Sequence, residues 1–109
     1  MKSKRSKATD IAKRTKERVF ARDGGKCIFC GSSQAAPNAH LIPRSHGGLG
    51  TEKNIITLCF DCHRRMDQTT ERQQLCARAE AYLRSKYRDW NKDELVYDKW
   101  AFFTKGGER

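Results

Sequence analysis

Residues 54–67 read NIITLCFDCHRRMD, from Asn54 to Asp67. Asn54 to Leu58 has the content of a strand, with Ile55, Ile56 and Leu58 supplying apolar side chains. Cys59 opens a turn that feeds a helix through Cys62, His63, Met66 and Asp67. His63 and Asp67 stand four residues apart, so they share one face of that helix. The stretch therefore joins a strand, a CxxC pair and a histidine–carboxylate pair within fourteen residues.

A second CxxC pair, Cys27 and Cys30, lies upstream and gives the spacing CxxC-x28-CxxC. Two tight turns can deliver four thiolates to one tetrahedral ion, so Cys27, Cys30, Cys59 and Cys62 predict a structural zinc site. An iron–sulfur centre also takes four cysteines and is the competing reading. Four protein ligands leave the zinc no open position, so this ion holds the fold and does no chemistry. Gly31 is expected to relieve crowding just past the second thiol. The fifth cysteine, Cys76, falls in a helical pattern and reads as an inert, half-buried thiol. An odd cysteine count with CxxC spacing fits a reducing compartment better than a secreted disulfide scaffold.

Outward from this centre, Ala39 to Ile42 is a short extended segment that Pro43 ends. With the strand at 54–58 it predicts an antiparallel hairpin whose wide loop contains the glycine-rich run RSHGGLG, Arg44 to Gly50. Residues 32–38 read as a polar loop. Thr9 or Asp10 caps an expected helix to about Arg22, with Ile11, Thr15 and Val19 inward and Lys13, Arg14, Lys16, Arg18 and Arg22 exposed. Asp23-Gly24-Gly25 ends it. Thr69 and Thr70 offer a further cap, and Thr70 to Gln73 has the shape of a capping box. The helix that follows runs to about Tyr87, with Leu75, Ala79, Tyr82, Leu83 and Tyr87 as its packing stripe. The aromatic segment 95–103 is expected to dock on the core or meet a partner, and residues 105–109 to fray.

The chain has 109 residues and a formal net charge of +10. Residues 1–22 hold nine Lys or Arg against two acids. Such a surface attracts phosphates, so nucleic acid is the expected partner; a solvated basic tail explains the charge equally well. No long apolar run predicts a membrane span, and the charged N-terminus lacks the apolar core of a secretory signal. The expected location is cytoplasmic.

His40, Asn54 and His63 add chemistry to this frame. A neutral imidazole can take a proton from water near pH 7. The His63–Asp67 pair can hold a divalent ion, which would polarise a phosphate and stabilise a departing oxyanion. Taken singly, each has a plain structural role: a satisfied strand histidine, a turn asparagine, a histidine buttressing the zinc turn.

The runs RVFARDGGKCIFCG, AHLIPRSHGG and KNIITLCFDCH together resemble the HNH endonuclease family in its zinc-stabilised form, most closely the small HNH proteins of tailed phages. The resemblance covers about Arg18 to Asp67. It implies an α+β fold: a small zinc-stabilised ββα-metal (His-Me finger) core with flanking N- and C-terminal helices. It implies a basic flexible tail at 1–8 and a single nuclease domain at 9–109, with its core at 18–67 and a C-terminal helix and aromatic tail at 70–103. The implied activity is metal-dependent hydrolysis of double-stranded DNA, leaving 5′-phosphate and 3′-hydroxyl ends. By resemblance His40 is the general base and Asn54 braces the loop. His63 is a ligand of one catalytic cation (Mg²⁺, Mn²⁺, Ni²⁺ or Zn²⁺), and Asp67 a second ligand. Arg44, Arg64 and Arg65 flank the expected site and suit DNA phosphates. A phage terminase is the implied partner and the host cytoplasm the implied location. One departure stands out: many relatives place a metal-binding residue directly before the base, where this chain has Ala39. That departure favours the rival expectation, a noncatalytic zinc module that binds nucleic acid; His46 and Asn38 are weaker substitutes for the missing ligand.

Overall fold

The computed structural model of the chain describes residues 4–68 and 70–97. The expected roles of Thr69, of the aromatic tail beyond Tyr97 and of the frayed end at 105–109 lie outside the described residues. The architecture is α+β: a two-stranded antiparallel sheet, β1 (Ala35–His40) and β2 (Ile55–Cys59), with helices on either side. Helices α1 (Lys4–Thr9) and α2 (Lys13–Arg22) precede the sheet, while α3 (Phe60–Gln68) and α4 (Arg72–Lys86) follow it.

The hairpin is the expected one with a shifted first strand. β1 begins at Ala35, inside the segment read as a polar loop, and ends at His40 rather than Ile42. The reason lies at Pro37, which cannot donate to a ladder. Ala36 pairs with Leu58 and Ala39 with Ile56, so Pro37 and Asn38 sit in an irregularity where the register shifts. β2 is buried on both faces, and its Ile55, Ile56 and Thr57 are wholly inaccessible. Such burial adds about 1.5–3 kcal/mol per large apolar side chain.

β2 runs directly into α3, which buries Cys62 and Met66. α4 lays Leu75, Ala79 and Leu83 on the same core, with Tyr82 and Tyr87 half-buried at its edge. The stripe read from the sequence is therefore the packing face. The capping box does not form. Glu71 is the cap residue but makes no side-chain cap bond, and its carboxylate instead meets the Arg65 guanidinium. Beyond α4, Trp90 is buried and donates from Nε1 to the Lys53 carbonyl at 2.7 Å, and Leu95 closes the core.

Two N-terminal features differ from expectation. The helix expected from Asp10 to Arg22 begins only at Lys13, and residues 4–8, expected within a flexible tail, form most of a separate helix, α1, with a break at residues 10–12 between the two. This short helix is fastened by distant partners. The Ala8 carbonyl accepts from Gly50 N at 2.9 Å, and Arg5 Nη2 donates to the Ser45 carbonyl at 2.9 Å. Arg22, expected to be exposed, turns its guanidinium inward. It donates to Asp23 (2.7 and 3.0 Å), to the Glu52 and Ile55 carbonyls (both 2.7 Å) and to the Tyr87 hydroxyl (3.1 Å). Asp23 in turn accepts from Tyr82 Oη at 2.5 Å and Thr57 N at 2.9 Å. A buried charge persists where such partners surround it, and this pair ties α2, β2 and α4 together.

Candidate metal centre and active site

The four cysteines of the two CxxC pairs converge. Their sulfurs all lie within 4.8 Å of one another, and Cys30 and Cys59 are 3.6 Å apart. Four thiolates at the usual zinc–sulfur length of about 2.3 Å would stand about 3.8 Å apart on a tetrahedron, so the cage fits zinc closely. Each pair is shaped by local backbone. Gly31 N returns to the Cys27 carbonyl at 2.9 Å, and Gly31 holds φ +79°. No atom crowds a Cβ built at Gly31, so the left-handed turn, not crowding, is what calls for glycine there. On the other side, Cys62 N donates to Cys59 Sγ at 3.4 Å.

The thiols differ in acidity. Burial works against ionising Cys27, yet backbone N–H groups of Cys30, Cys59 and Phe29 bring it down to about 7. Burial, then the neighbouring Cys59 and Cys27 thiols, push Cys62 well above the ordinary range. One thiolate is thus stabilised by backbone from both turns, and a dication is what allows all four to ionise together.

A second site lies beyond this cage. A cleft of about 900 Å³ is lined by His40, His63, Asp67, Arg44, His46 and Asn38, and also by Lys16, Arg72 and Asp10. β1 delivers His40, α3 delivers His63 and Asp67, and the hairpin loop delivers Arg44. His40 is buried, with Nε2 2.9 Å from the Thr9 carbonyl. A carbonyl only accepts, so Nε2 carries the hydrogen and Nδ1 is the ring's proton acceptor. Burial pushes the imidazole below its ordinary value against the pull of the Thr9 carbonyl, and the charges of Arg44 and His63 add to the fall. These influences favour the neutral imidazole.

His63 Nε2 meets Asp67 Oδ2 at 3.1 Å across one helical turn. Two donors about 3.0 Å apart suit neighbouring positions on an octahedral ion with bonds of about 2.1 Å. Asp67 Oδ1 also faces Arg72 Nη1 at 3.7 Å. Ala39 is fully buried opposite Ile56 and contributes no donor.

Asn54 does not line the cleft; it lies beneath the loop that does. Its Oδ1 accepts from Ile42 N at 2.9 Å, and its Nδ2 donates to the Leu49 carbonyl at 2.8 Å and the Ile42 carbonyl at 3.2 Å. Wholly buried, it closes the loop from residue 42 to residue 49. Arg64 and Arg65 are not among the lining residues. Arg64 faces Asp61 at 3.8 Å on its own helix, and Arg65 meets Glu71. The cations that do line the cleft beside Arg44 are Lys16 and Arg72, which sequence reasoning placed on a solvated face and in a capping box. Asp10 was likewise read as a helix cap, and only the break after α1 turns it into the cleft.

Among the described residues no helix is long and apolar enough to cross a membrane. No curated protein and no solved structure matches the chain. Residues 27–77 match the family described as HNH endonuclease, a segment holding both cysteine pairs, both strands and α3. That segment of the chain is an HNH-family module with a four-cysteine cluster able to coordinate a metal ion.

Proposed function

We propose that this module hydrolyses DNA phosphodiester bonds with the help of a divalent cation. The observation that supports the reading best is the cleft in which His40 shares a wall with the His63–Asp67 pair and with Lys16, Arg44 and Arg72. In this reading the three cations hold the phosphates on either side of the scissile bond. His40 Nδ1 takes a proton from the attacking water as the new P–O bond forms, and the 3′ oxygen leaves and is protonated by solvent. Ends of 5′-phosphate and 3′-hydroxyl follow. His63 and Asp67 would hold the cation, which when bound polarises the phosphate and stabilises the leaving oxygen. With no donor at Ala39, His63 and Asp67 are the side chains that would hold it, and water and substrate phosphate would supply the remaining ligands. Asn54 acts by holding the loop that carries Arg44.

The family match and the cysteine cage bear more directly on a second reading, a zinc-containing nucleic-acid-binding module that does not cut. Ala39 favours it, and so does the way Asp67 is already met by His63 and Arg72. In either reading the module acts in the cytoplasm, as one domain that takes in α1 as well as the expected residues 9–109. The resemblance to small phage proteins makes the DNA-packaging terminase the partner to test.

The two readings part in a plasmid-nicking assay on zinc-loaded protein with added Mg²⁺, Mn²⁺, Ni²⁺ or Zn²⁺. The first predicts nicking that falls by about 10²–10⁴-fold in His40→Ala. DNA binding by the wild type without cleavage under every cation establishes the second.

A further inference from the structure

The segment that matches the HNH family begins at Cys27, yet His40 is held from outside it. The acceptor for Nε2 is the last carbonyl of α1, that of Thr9. Thr9 is itself buried, and its hydroxyl donates back to the Arg5 carbonyl at 3.0 Å. Further contacts fix α1 and the residue after it against the hairpin loop: Gly50 N to the Ala8 carbonyl, Arg5 Nη2 to the Ser45 and Arg44 carbonyls, and Asp10 against the Arg44 guanidinium. The loop is shaped to receive this segment. A Cβ at Gly50 would stand 1.9 Å from the Asp10 carbonyl oxygen and 2.5 Å from its carbon. No close approach of that kind is compatible with any residue but glycine.

We propose that α1 is a positioning element of the active site, its Thr9 carbonyl fixing the His40 ring so that Nδ1 faces the reaction as base. The inference rests on the hydrolytic reading above. A free imidazole exchanges its hydrogen between the two nitrogens, and its ring turns about χ2. One carbonyl on Nε2 removes both freedoms, and a second-shell contact of this kind commonly sets which nitrogen does the chemistry. The same segment couples the base to DNA binding, because Asp10, the residue after Thr9, orients Arg44 at the cleft. A basic helix expected to be a tail thus supports His40 from behind, and the residues after it, Asp10 and Ile11, line the cleft.

Gly50→Ala tests this without altering a side chain of the cleft. The atoms nearest its methyl group belong to the peptide at residues 10 and 11, so it displaces the segment that follows Thr9. Imidazole ¹⁵N chemical shifts of His40 are read in the zinc-loaded full chain. The wild type should show one tautomer, with hydrogen on Nε2. Gly50→Ala should show averaged Nδ1 and Nε2 shifts, full zinc content, and a kcat for DNA cleavage lower by roughly 10- to 100-fold, with a smaller rise in KM as Asp10 shifts against Arg44. Arg5→Ala, which removes the guanidinium's contacts with the Ser45 and Arg44 carbonyls, should move the ¹⁵N shifts in the same direction and serves if Gly50→Ala does not fold. Wild-type-like ¹⁵N shifts in the folded variant overturn the proposal, as does an Nδ1–H tautomer in the wild type. A wild type that cuts no DNA removes the hydrolytic reading, while the ¹⁵N shifts still report whether α1 holds the ring.

Discussion

At the scale of single residues, three side chains show how much context decides. Asn54 was legible as a member of a motif, and burial turns it into a three-bond brace between Ile42 and Leu49. Asp67 was legible from its spacing to His63; its second neighbour, Arg72, was not, because that contact crosses from α3 to α4. In the hydrolytic reading Asp67→Ala should raise the cation concentration for half-maximal nicking by about tenfold or more, since second donors typically matter on that scale. An unchanged metal titration removes Asp67 from the ligand set. Thr57 offers a test free of function. Its hydroxyl is fully buried with no hydrogen-bond partner among the described residues, although its backbone N–H serves Asp23. Thr57→Val keeps the β-branched shape and removes the unpaired group, so it should stabilise by about 1 kcal/mol in denaturant unfolding. A loss of stability would show that the hydroxyl has a partner in solution.

At the scale of elements, local signals fared well and long-range ones did not. β2, α3 and the packing stripe of α4 follow from spacing within each segment. The early start of β1 depends on a partner strand that tolerates Pro37 in a bulge, and α1 exists through contacts with a loop some forty residues away. The Arg22–Asp23 pair is the clearest case. Read along α2, Arg22 belongs with the exposed cations; in the fold it meets β2 and α4. Asp23→Ala leaves that guanidinium without its carboxylate and should destabilise by about 3–5 kcal/mol. Burial favours protonation of Asp23, but hydrogen bonds from Arg22 and Tyr82 outweigh it and hold the carboxyl below its ordinary 3.8. The unfolded chain therefore takes up the proton first. The stabilisation is complete above about pH 4 and is lost as pH falls through and below that value. Unfolding followed from pH 6 to pH 2 should show this slope in the wild type and a shallower one in Asp23→Ala.

At the scale of the whole molecule, a thin core shares its side chains with a metal cage. Cys27 and Cys62 belong to the same buried cluster as Ile56, Leu58, Met66 and Leu83. Chelation should therefore melt the sheet and α3 together, seen as a cooperative loss of circular dichroism that zinc restores. Retention of the fold in metal-free protein would separate the cage from the core. The cage was legible because CxxC turns are local and the x28 span returns a hairpin to the ion. The cleft was legible only in part. His40, His63, Asp67 and Arg44 meet there as the motif implied, whereas Lys16, Arg72 and the Thr9 carbonyl arrive through tertiary packing. The account as a whole turns on His40 acting as a neutral base at that cleft, and the pH dependence of nicking at saturating cation tests it most directly. Because burial, Arg44 and His63 lower its proton affinity, log kcat/KM should rise with unit slope in acid and level off at a pKa below 6.5. A break above 6.5, or a profile that His40→Ala leaves unchanged, would contradict it.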